Sequence, residues 1–434
     1  MMAVGSVAIV GGGVAGFTVA QELRSRGFDG EITMVEPGGL PYDRPPLSKD
    51  YLLGAQTLEQ IQFQPREWFA ENRVTLIEDS AVAVDAPAAG SVNEQPTVRL
   101  SNGDAVAADR IVLATGGAAR KLPVPGGELP EVLELRTRAD ADRLRDSVGE
   151  GTRIVVVGAG LIGAEAASTL LALGADVTLV EPAQPPLVPA VGPVLAEYLH
   201  AMHAERRIDV IQSAPARIEV GGTELDGAEI DGAERVVTLT DGTQLRAGQV
   251  LVGIGITPNT ALAEAMGLEV NDGVVVDERQ QTSNPAVFAV GDAARMRTDA
   301  GELLPRAEHW ENAMHSGARA AAAILGQDIP QQGAPWFWSD RHGVHVEGVG
   351  SLAPRRESAD STSQYIHRFN GDGTPQATFL LNPDGTMAGC AAVDGGMTVR
   401  AARRIIDQGI VVPADALADP SVPLRKLARP PRNA

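Results

Sequence analysis

The chain has 434 residues, which at about 150 residues per domain suggests roughly three domains. Its 44% hydrophobic content excludes wholesale disorder, and its formal charge of −20 excludes a general nucleic-acid binder, which needs a basic footprint. The only cysteine is Cys390, so an internal disulfide, a paired-cysteine redox centre and a multi-cysteine iron–sulfur or zinc site are excluded, no metal site is assigned, and redox chemistry has to use a bound cofactor. Lysine is scarce: Lys49, Lys121 and Lys426 are the only three among 36 basic residues.

In chain order, residues 7–10 form a short apolar run that breaks at Gly11. Residues 17–26 have helical spacing and stop at Gly27, and residues 31–35 predict a strand ending at Glu36. The first basic residue is Arg24, so the apolar start lacks the positive region of a secretory signal, and a cytoplasmic protein is expected. Residues 98–105, around Ser101-Asn102-Gly103, read as a hairpin that leads into the apolar run 110–114. The opening pattern then recurs: a strand over 154–157, a turn at Gly158, a helix over 164–173 closed by Gly174, and a strand over 177–180 ending at Glu181. Glu165 and Asp176 interrupt this apolar stretch, so it is not a membrane span. Two βαβ units in one chain imply parallel sheets.

Residues 236–245, around Asp241-Gly242, read as a second hairpin before the apolar run 249–254. Residues 312–325 are alanine-rich and helical, and residues 326–335 read as a linker. From Trp336 the pattern changes to short alternating strands over 344–349, 364–369, 377–381 and 387–393, then a helix over 398–408 and a proline-rich tail. The expected fold class is α/β: two Rossmann-like dinucleotide-binding domains plus a C-terminal α+β domain.

Gly11-Gly12-Gly13-Val14-Ala15-Gly16 and Gly158-Ala159-Gly160-Leu161-Ile162-Gly163 both fit the pattern GxGxxG. In such a turn the first glycine allows the tight bend, the second lets backbone approach a pyrophosphate, and the third lets helix pack on strand. Each motif here follows a strand, opens a helix and leads to an acid at the next strand end, Glu36 or Glu181. Two complete fingerprints argue for two dinucleotides and a hydride passed from a nicotinamide to a flavin. Spacing alone leaves open which motif holds which.

Further segments carry a resemblance: residues 41–49 (Pro41-Tyr42-Asp43-Arg44-Pro45-Pro46-Leu47-Ser48-Lys49), 113–116, 254–259, 287–292, 308–313 and 335–340 (Pro335-Trp336-Phe337-Trp338-Ser339-Asp340). In this order, over nearly the whole chain, they resemble the FAD- and NADH-dependent ferredoxin reductases of bacterial oxygenase systems, the putidaredoxin reductase and biphenyl-dioxygenase reductase group. The resemblance implies a glutathione-reductase-like architecture: residues 1–115 and 248–326 binding FAD, 116–247 binding NADH, and 327–434 forming an interface domain.

The resemblance also implies site residues. Gly11, Gly13, Val14, Ala15 and Gly16 would hold FAD, with Glu36 on the adenosine ribose and Arg44 facing the pyrophosphate. Val82, Ala114, Thr115, Gly116, Arg120, Gly255 and Gly291 would line the cofactor, and Asp292 would accept from its ribityl chain. His309, Trp310 and Trp338 would stand close to the isoalloxazine. Gly158, Gly160, Leu161, Ile162, Gly163 and Glu181 would bind NADH. Lys49 and Glu165 would pair beside the reactive flavin, where a lysine can stabilise negative charge; the alternative for this pair is a solvent-exposed salt bridge. Trp336 and Trp338, two residues apart on a strand, share one face, either in the core or at the cofactor.

The implied function is electron transfer from NADH through FAD to a [2Fe–2S] ferredoxin that serves an oxygenase or cytochrome P450, by a monomer or weak homodimer with no nucleic-acid or membrane partner. Rival readings are a reductase of a small oxidant, similar to monodehydroascorbate reductase, and an NADH-sensing flavoprotein. Residues 154–205 contain no lysine or arginine to pair with a 2′-phosphate, which predicts NADH over NADPH. Residues 1–325 carry 25 basic and 45 acidic residues, whereas 326–434 carry 11 of each. A docking patch for an acidic partner is therefore expected to combine Arg425, Lys426, Arg429 and Arg432 of the third domain with Arg295, Arg297 and Arg306.

Overall fold

The computed structural model describes residues 4–86, 95–183, 185–221, 224–225, 228–229, 234–354, 356–358 and 361–428. The chain forms two compact units: Met1–Arg44 with Gln56–Ala118 and Ile256–Gln332, and Pro45–Ala55 with Ala119–Gly255 and Gly333–Ala434.

The first unit is built on a five-stranded parallel sheet in the order Val287–Ala289, Arg110–Leu113, Ser6–Val10, Glu31–Val35, Val74–Ile77. Val7, Ala8, Ile9 and Val10 are all buried, as the continuous apolar run requires of a strand covered on both faces. The helix Val14–Ser25 follows it and packs on the helix Trp310–Ile324. Their approach explains the small residues of the second helix: a Cβ on Gly317 would stand 2.6 Å from the Ala15 carbonyl oxygen. The first helix begins three residues before its expected start, because Val14, Ala15 and Gly16 are already its first turn. The hairpin of Thr97–Leu100 with Ala105–Ala107 forms, with Ala81–Asp85 as a third strand.

The second unit holds a second five-stranded parallel sheet, Asp209–Ile211, Asp176–Val180, Arg153–Val157, Gln249–Val252, Val132–Leu133. The helix Leu161–Ala172 follows its central strand and again starts three residues early. The hairpin Arg235–Leu239 with Gln244–Ala247 also forms. The C-terminal sheet is antiparallel, in the order Trp336–Arg341, Val344–Gly350, Met387–Val393, Pro375–Leu381, Gln364–Phe369, with the helix Gly396–Asp407 packed on it. The mixed α/β class expected from the sequence is the one found.

Two features add to the pattern read from the sequence. The proline-rich stretch after Glu181 gives way to the helix Pro193–Glu205, whose Leu195 and Leu199 share a core with Phe337, Val346 and Leu380 of the C-terminal sheet. The tail carries the short helices Ala414–Ala418 and Leu424–Leu427, with Leu417 and Leu424 buried. Prolines stand at or just before these helix starts. Pro193 opens its helix, and Pro413 and Pro423 immediately precede theirs, where a fixed φ and a missing N–H cost little.

Candidate active site

The two glycine turns are built alike from their residues upward. Gly11 has φ +108°, and its Cβ would meet the Ala114 carbonyl oxygen at 2.3 Å; Gly158 has φ +99°, with the Gly253 oxygen at 2.5 Å. A Cβ on Gly16 would stand 2.0 Å from the Gly11 oxygen, and one on Gly163 2.0 Å from the Gly158 oxygen, so both third glycines are required by close packing. At Gly13 and Gly160 a Cβ would meet nothing within 4 Å. These residues stand before helices that have no side-chain cap and no acid in the first turn. Each turn thus leaves open space in front of unsatisfied backbone N–H groups at a positive helix end, which fits a pyrophosphate.

The terminal acids are held in matching ways. Glu36 Oε2 accepts from Gly12 N at 2.6 Å and Oε1 from Gly38 N at 2.8 Å. Glu181 Oε2 accepts from Ala159 N at 2.8 Å and Oε1 from Ala183 N at 2.9 Å. Each oxygen keeps a second lone pair, so both half-buried carboxylates can accept from a ribose hydroxyl.

Around the first turn, Ala15 and Ala114 are buried and Val14 is half-buried. Thr115-Gly116 is clamped by Asn259: Thr115 Oγ1 donates to the Asn259 oxygen at 2.7 Å, Asn259 Nδ2 to the Thr115 oxygen at 2.9 Å, and Asn259 N to the Gly116 oxygen at 2.9 Å. Gly291 has φ +68° and donates its N–H to Ser316 Oγ at 2.9 Å, which fixes Asp292. Half-buried His309 precedes the helix Trp310–Ile324, its imidazole held below the usual range by burial. Trp310 Nε1 donates to Asp43 Oδ1 at 2.8 Å. Arg44 is half-buried. Val82 lies on the strand Ala81–Asp85 and is 57% exposed.

In the second unit, Leu161 and Ile162 open the helix after Gly160; Ile162 is exposed. Arg120 N donates to the Gly255 oxygen at 2.9 Å. Lys49 and Glu165 meet: Lys49 Nζ stands 3.3 Å from Glu165 Oε1 and 5.4 Å from the Trp338 ring centre. The pair is not a surface salt bridge, since the side chains are only 16% and 4% exposed. Glu165 also accepts from Ser48 Oγ at 2.6 Å, Ser339 Oγ at 2.7 Å and Asp340 N at 3.1 Å, so its buried charge is fully hydrogen-bonded. Trp336 and Trp338 stack with ring centres 5.0 Å apart and are half-buried. Asp340 Oδ2, 2.6 Å from Lys49 Nζ, completes the cluster. The sequence reading gives Asp340 and Ser339 no role, although alternation from Trp338 puts Asp340 on the same face.

Residues 5–317 match the model of the pyridine nucleotide-disulphide oxidoreductases, and residues 336–428 match a reductase C-terminal model. The chain belongs to the pyridine nucleotide-disulphide oxidoreductase family. It is 34% identical to the ferredoxin–NAD(+) reductase subunit of the benzene 1,2-dioxygenase system from Pseudomonas putida, over 98% of this chain and 97% of that one. It is 33% identical to putidaredoxin reductase from the same organism, over 97% and 96%. Among solved structures it is similar to putidaredoxin reductase in covalent complex with putidaredoxin, with 32% identity, TM-score 0.85 and 98% of each chain covered. The ferredoxin reductase of the CYP199A2 system from Rhodopseudomonas palustris matches at 32% identity and TM-score 0.86, over 98% and 100%. The chain is accordingly an oxidoreductase that uses FAD and NADH.

Disulphide chemistry within the chain is not open to this family member. Cys390 is fully buried on the strand Met387–Val393, and burial pushes its thiol well above the usual range. Two of the three arginines expected in a positive patch beside the third domain stand against acids. Arg297 pairs with Glu269 at 2.8 and 2.6 Å, and Arg295 donates to the Leu304 and Asn271 oxygens. Arg306 is 5% exposed between Asp272 and Glu308. Arg297 and Arg306 are neutralised where they stand, whereas Arg295 bonds only neutral oxygens and keeps its charge. Arg425 and Lys426 lie on the last short helix, and Arg429 and Arg432 fall outside the described residues. Among the described residues, no helix is long and apolar enough to cross a membrane.

Proposed function

We propose that the chain is a cytoplasmic NADH:ferredoxin reductase, a monomer or weak homodimer, that passes electrons from NADH through FAD to a [2Fe–2S] ferredoxin serving an oxygenase or cytochrome P450. The observation that carries the reading is the pair of complete glycine turns, each with an open, uncapped helix end and a backbone-anchored acid. Relatives matched end to end are named as ferredoxin–NAD(+) reductases of dioxygenase systems, and the same class is assigned here. The first turn, with residues 1–115 and 248–326, is assigned FAD; the second, with residues 116–247, is assigned NADH; residues 327–434 are assigned the partner interface.

Bound FAD supplies the conversion between NADH, which gives electrons in pairs, and a cluster that accepts them singly. The chain's own groups do the rest. The uncapped helix ends bind phosphate charge, and Glu36 and Glu181 orient a ribose each. Glu165, held by Ser48, Ser339 and the Asp340 N–H, fixes the Lys49 ammonium in place, and that cation would stabilise negative charge on a reduced cofactor beside it. No acid–base triad is required, because orientation carries most of the work.

The test is NADH-driven reduction of cytochrome c with and without an added [2Fe–2S] ferredoxin, beside reduction of the ascorbate radical. The reading expects cytochrome c reduction to depend on the ferredoxin. Ferredoxin-independent rates with fast ascorbate-radical reduction would overturn it.

A further inference from the structure

A ring of contacts passes through the first glycine turn, and every link of it lies within the first unit. Ala15, in the opening turn of the helix Val14–Ser25, meets Gly291, where a Cβ would stand 2.9 Å from the Ala15 Cβ and 3.7 Å from the Ala313 Cβ. Ala313 lies one turn along the helix Trp310–Ile324 from Trp310. Trp310 Nε1 donates to Asp43 Oδ1 at 2.8 Å, a bond between residues 267 positions apart. Asp43 follows Pro41 by two residues, and a Cβ on Gly12 would stand 3.1 Å from Pro41 Cγ. Gly12 and Ala15 flank Gly13, where a Cβ would meet nothing within 4 Å. The ring therefore borders the open space at the uncapped helix end.

The links are not alike. Ala15 and Ala313 are buried in one core cluster, and Gly291 is tied by its N–H to Ser316 Oγ. Pro41 is buried, and its segment is paired through the backbone: Asp43 N donates to the Ile61 oxygen at 2.8 Å, and Phe63 N to the Pro41 oxygen at 3.0 Å. Opening any of these links exposes apolar surface or breaks backbone pairing. The bond from Trp310 to Asp43 joins two half-buried side chains, and opening it takes only a change of rotamer. An indole N–H can only donate and a carboxylate only accept, so the bond has a single direction, and a charged acceptor strengthens it.

We propose that the hydrogen bond between Asp43 and Trp310 is a clasp that closes the first dinucleotide site and retains its cofactor, with Asp43 a positioning residue that acts through Trp310. The inference rests on the assignment of FAD to the first turn. The clasp acts on release rather than on the fold. The packed links of the ring stay in place while the indole swings away, so the rate of cofactor loss follows the fraction of time the bond is open. Such a clasp suits a flavin that stays through many turnovers, whereas a nicotinamide nucleotide has to exchange at each one.

The experiment follows FAD release after dilution of the holoprotein, read as the rise of free-flavin fluorescence. Asp43→Ala and Trp310→Phe should each release FAD about tenfold faster than wild type, as expected for a lost hydrogen bond to a charged group. Asp43→Asn keeps an acceptor oxygen and should release FAD at close to the wild-type rate. The double variant Asp43→Ala/Trp310→Phe should be no faster than the faster single one, because both changes remove the same bond. A colourless Asp43→Ala beside a yellow Asp43→Asn supports the clasp equally. Wild-type release from Asp43→Ala, equal acceleration in Asp43→Asn, or additive effects in the double variant would overturn it. If Gly13→Val keeps its flavin, the assignment of FAD to the first turn falls and the clasp with it. Flavin lost from Gly13→Val but released normally by Asp43→Ala removes the clasp alone.

Discussion

The two glycine turns share a backbone but not a lid. In the first, a Cβ on Gly12 would stand 2.9 Å from Glu36 Cγ and 3.1 Å from Pro41 Cγ, so the acid's own stem and the following segment press on the turn. In the second, the same position is Ala159, fully buried with its methyl accommodated. Strand-end packing differs too: Ala114 lies against Gly16 in the first turn, and Gly253 against Gly163 in the second. What is common to both turns is what a pyrophosphate needs; what differs is the chain after the acid, which shapes the particular nucleotide site.

The largest expected effect tests the common part. Gly16→Ala and Gly163→Ala each drive a methyl onto a carbonyl oxygen 2.0 Å away, so each should cost about 4 kcal/mol or more, read by thermal melting of the apoprotein. Markedly unequal losses would mean that the turns are not equivalent.

Acid should separate the two halves next. His203 is fully buried 2.9 Å from His342 Nε2, and burial pushes their imidazoles down to about 3 and about 4. Unfolded imidazoles protonate near pH 6.5, so the folded second unit binds fewer protons below that. Its stability is full above about pH 6.5 and falls as pH drops toward 4, by about 3 kcal/mol. Hydrogen exchange at pH 7 and 4.5 should show protection lost first in the helix Pro193–Glu205 and the strand Trp336–Arg341, and retained in the first sheet. Uniform loss would remove the imidazoles as its cause.

Substitution at the open second glycines asks which dinucleotide goes where. Gly13 and Gly160 have ordinary extended backbone and room for a side chain, so Gly13→Val and Gly160→Val should melt like wild type. Gly13→Val should purify without yellow colour. Gly160→Val should keep its flavin and raise the KM for NADH by about a hundredfold, in line with about 2.7 kcal/mol of lost phosphate contact. Exchanged phenotypes would reverse the assignment. The smallest effect concerns Glu181, which has no local cation to neutralise a 2′-phosphate. NADH should exceed NADPH in kcat/KM by about tenfold or more, and equal values would show that a cation reaches the site from elsewhere in the sequence.

Much of this was legible in the residues because it is local. Both turns, both acids, both hairpins and the alternation from Trp336 are set by short-range backbone geometry. The pairing of Lys49 with Glu165 comes from the resemblance, whereas Ser48, Ser339 and Asp340 have no role in the sequence reading, because these groups come from three separate stretches and only packing joins them. The arginines at 297 and 306 misled for the same reason: a sequence count of charge does not show that Glu269, Asp272 and Glu308 stand against them.

The burial of Cys390 has a practical consequence. It stands opposite Val349 and Phe379 in the middle of a five-stranded sheet, with no exposed surface and a thiol that resists ionisation. In the folded protein it is therefore inert to maleimides and iodoacetamides. A cysteine introduced at an exposed position such as Met397 or Val411 would be the only reactive thiol, so one dye or spin label could be placed on this chain without first removing its natural cysteine.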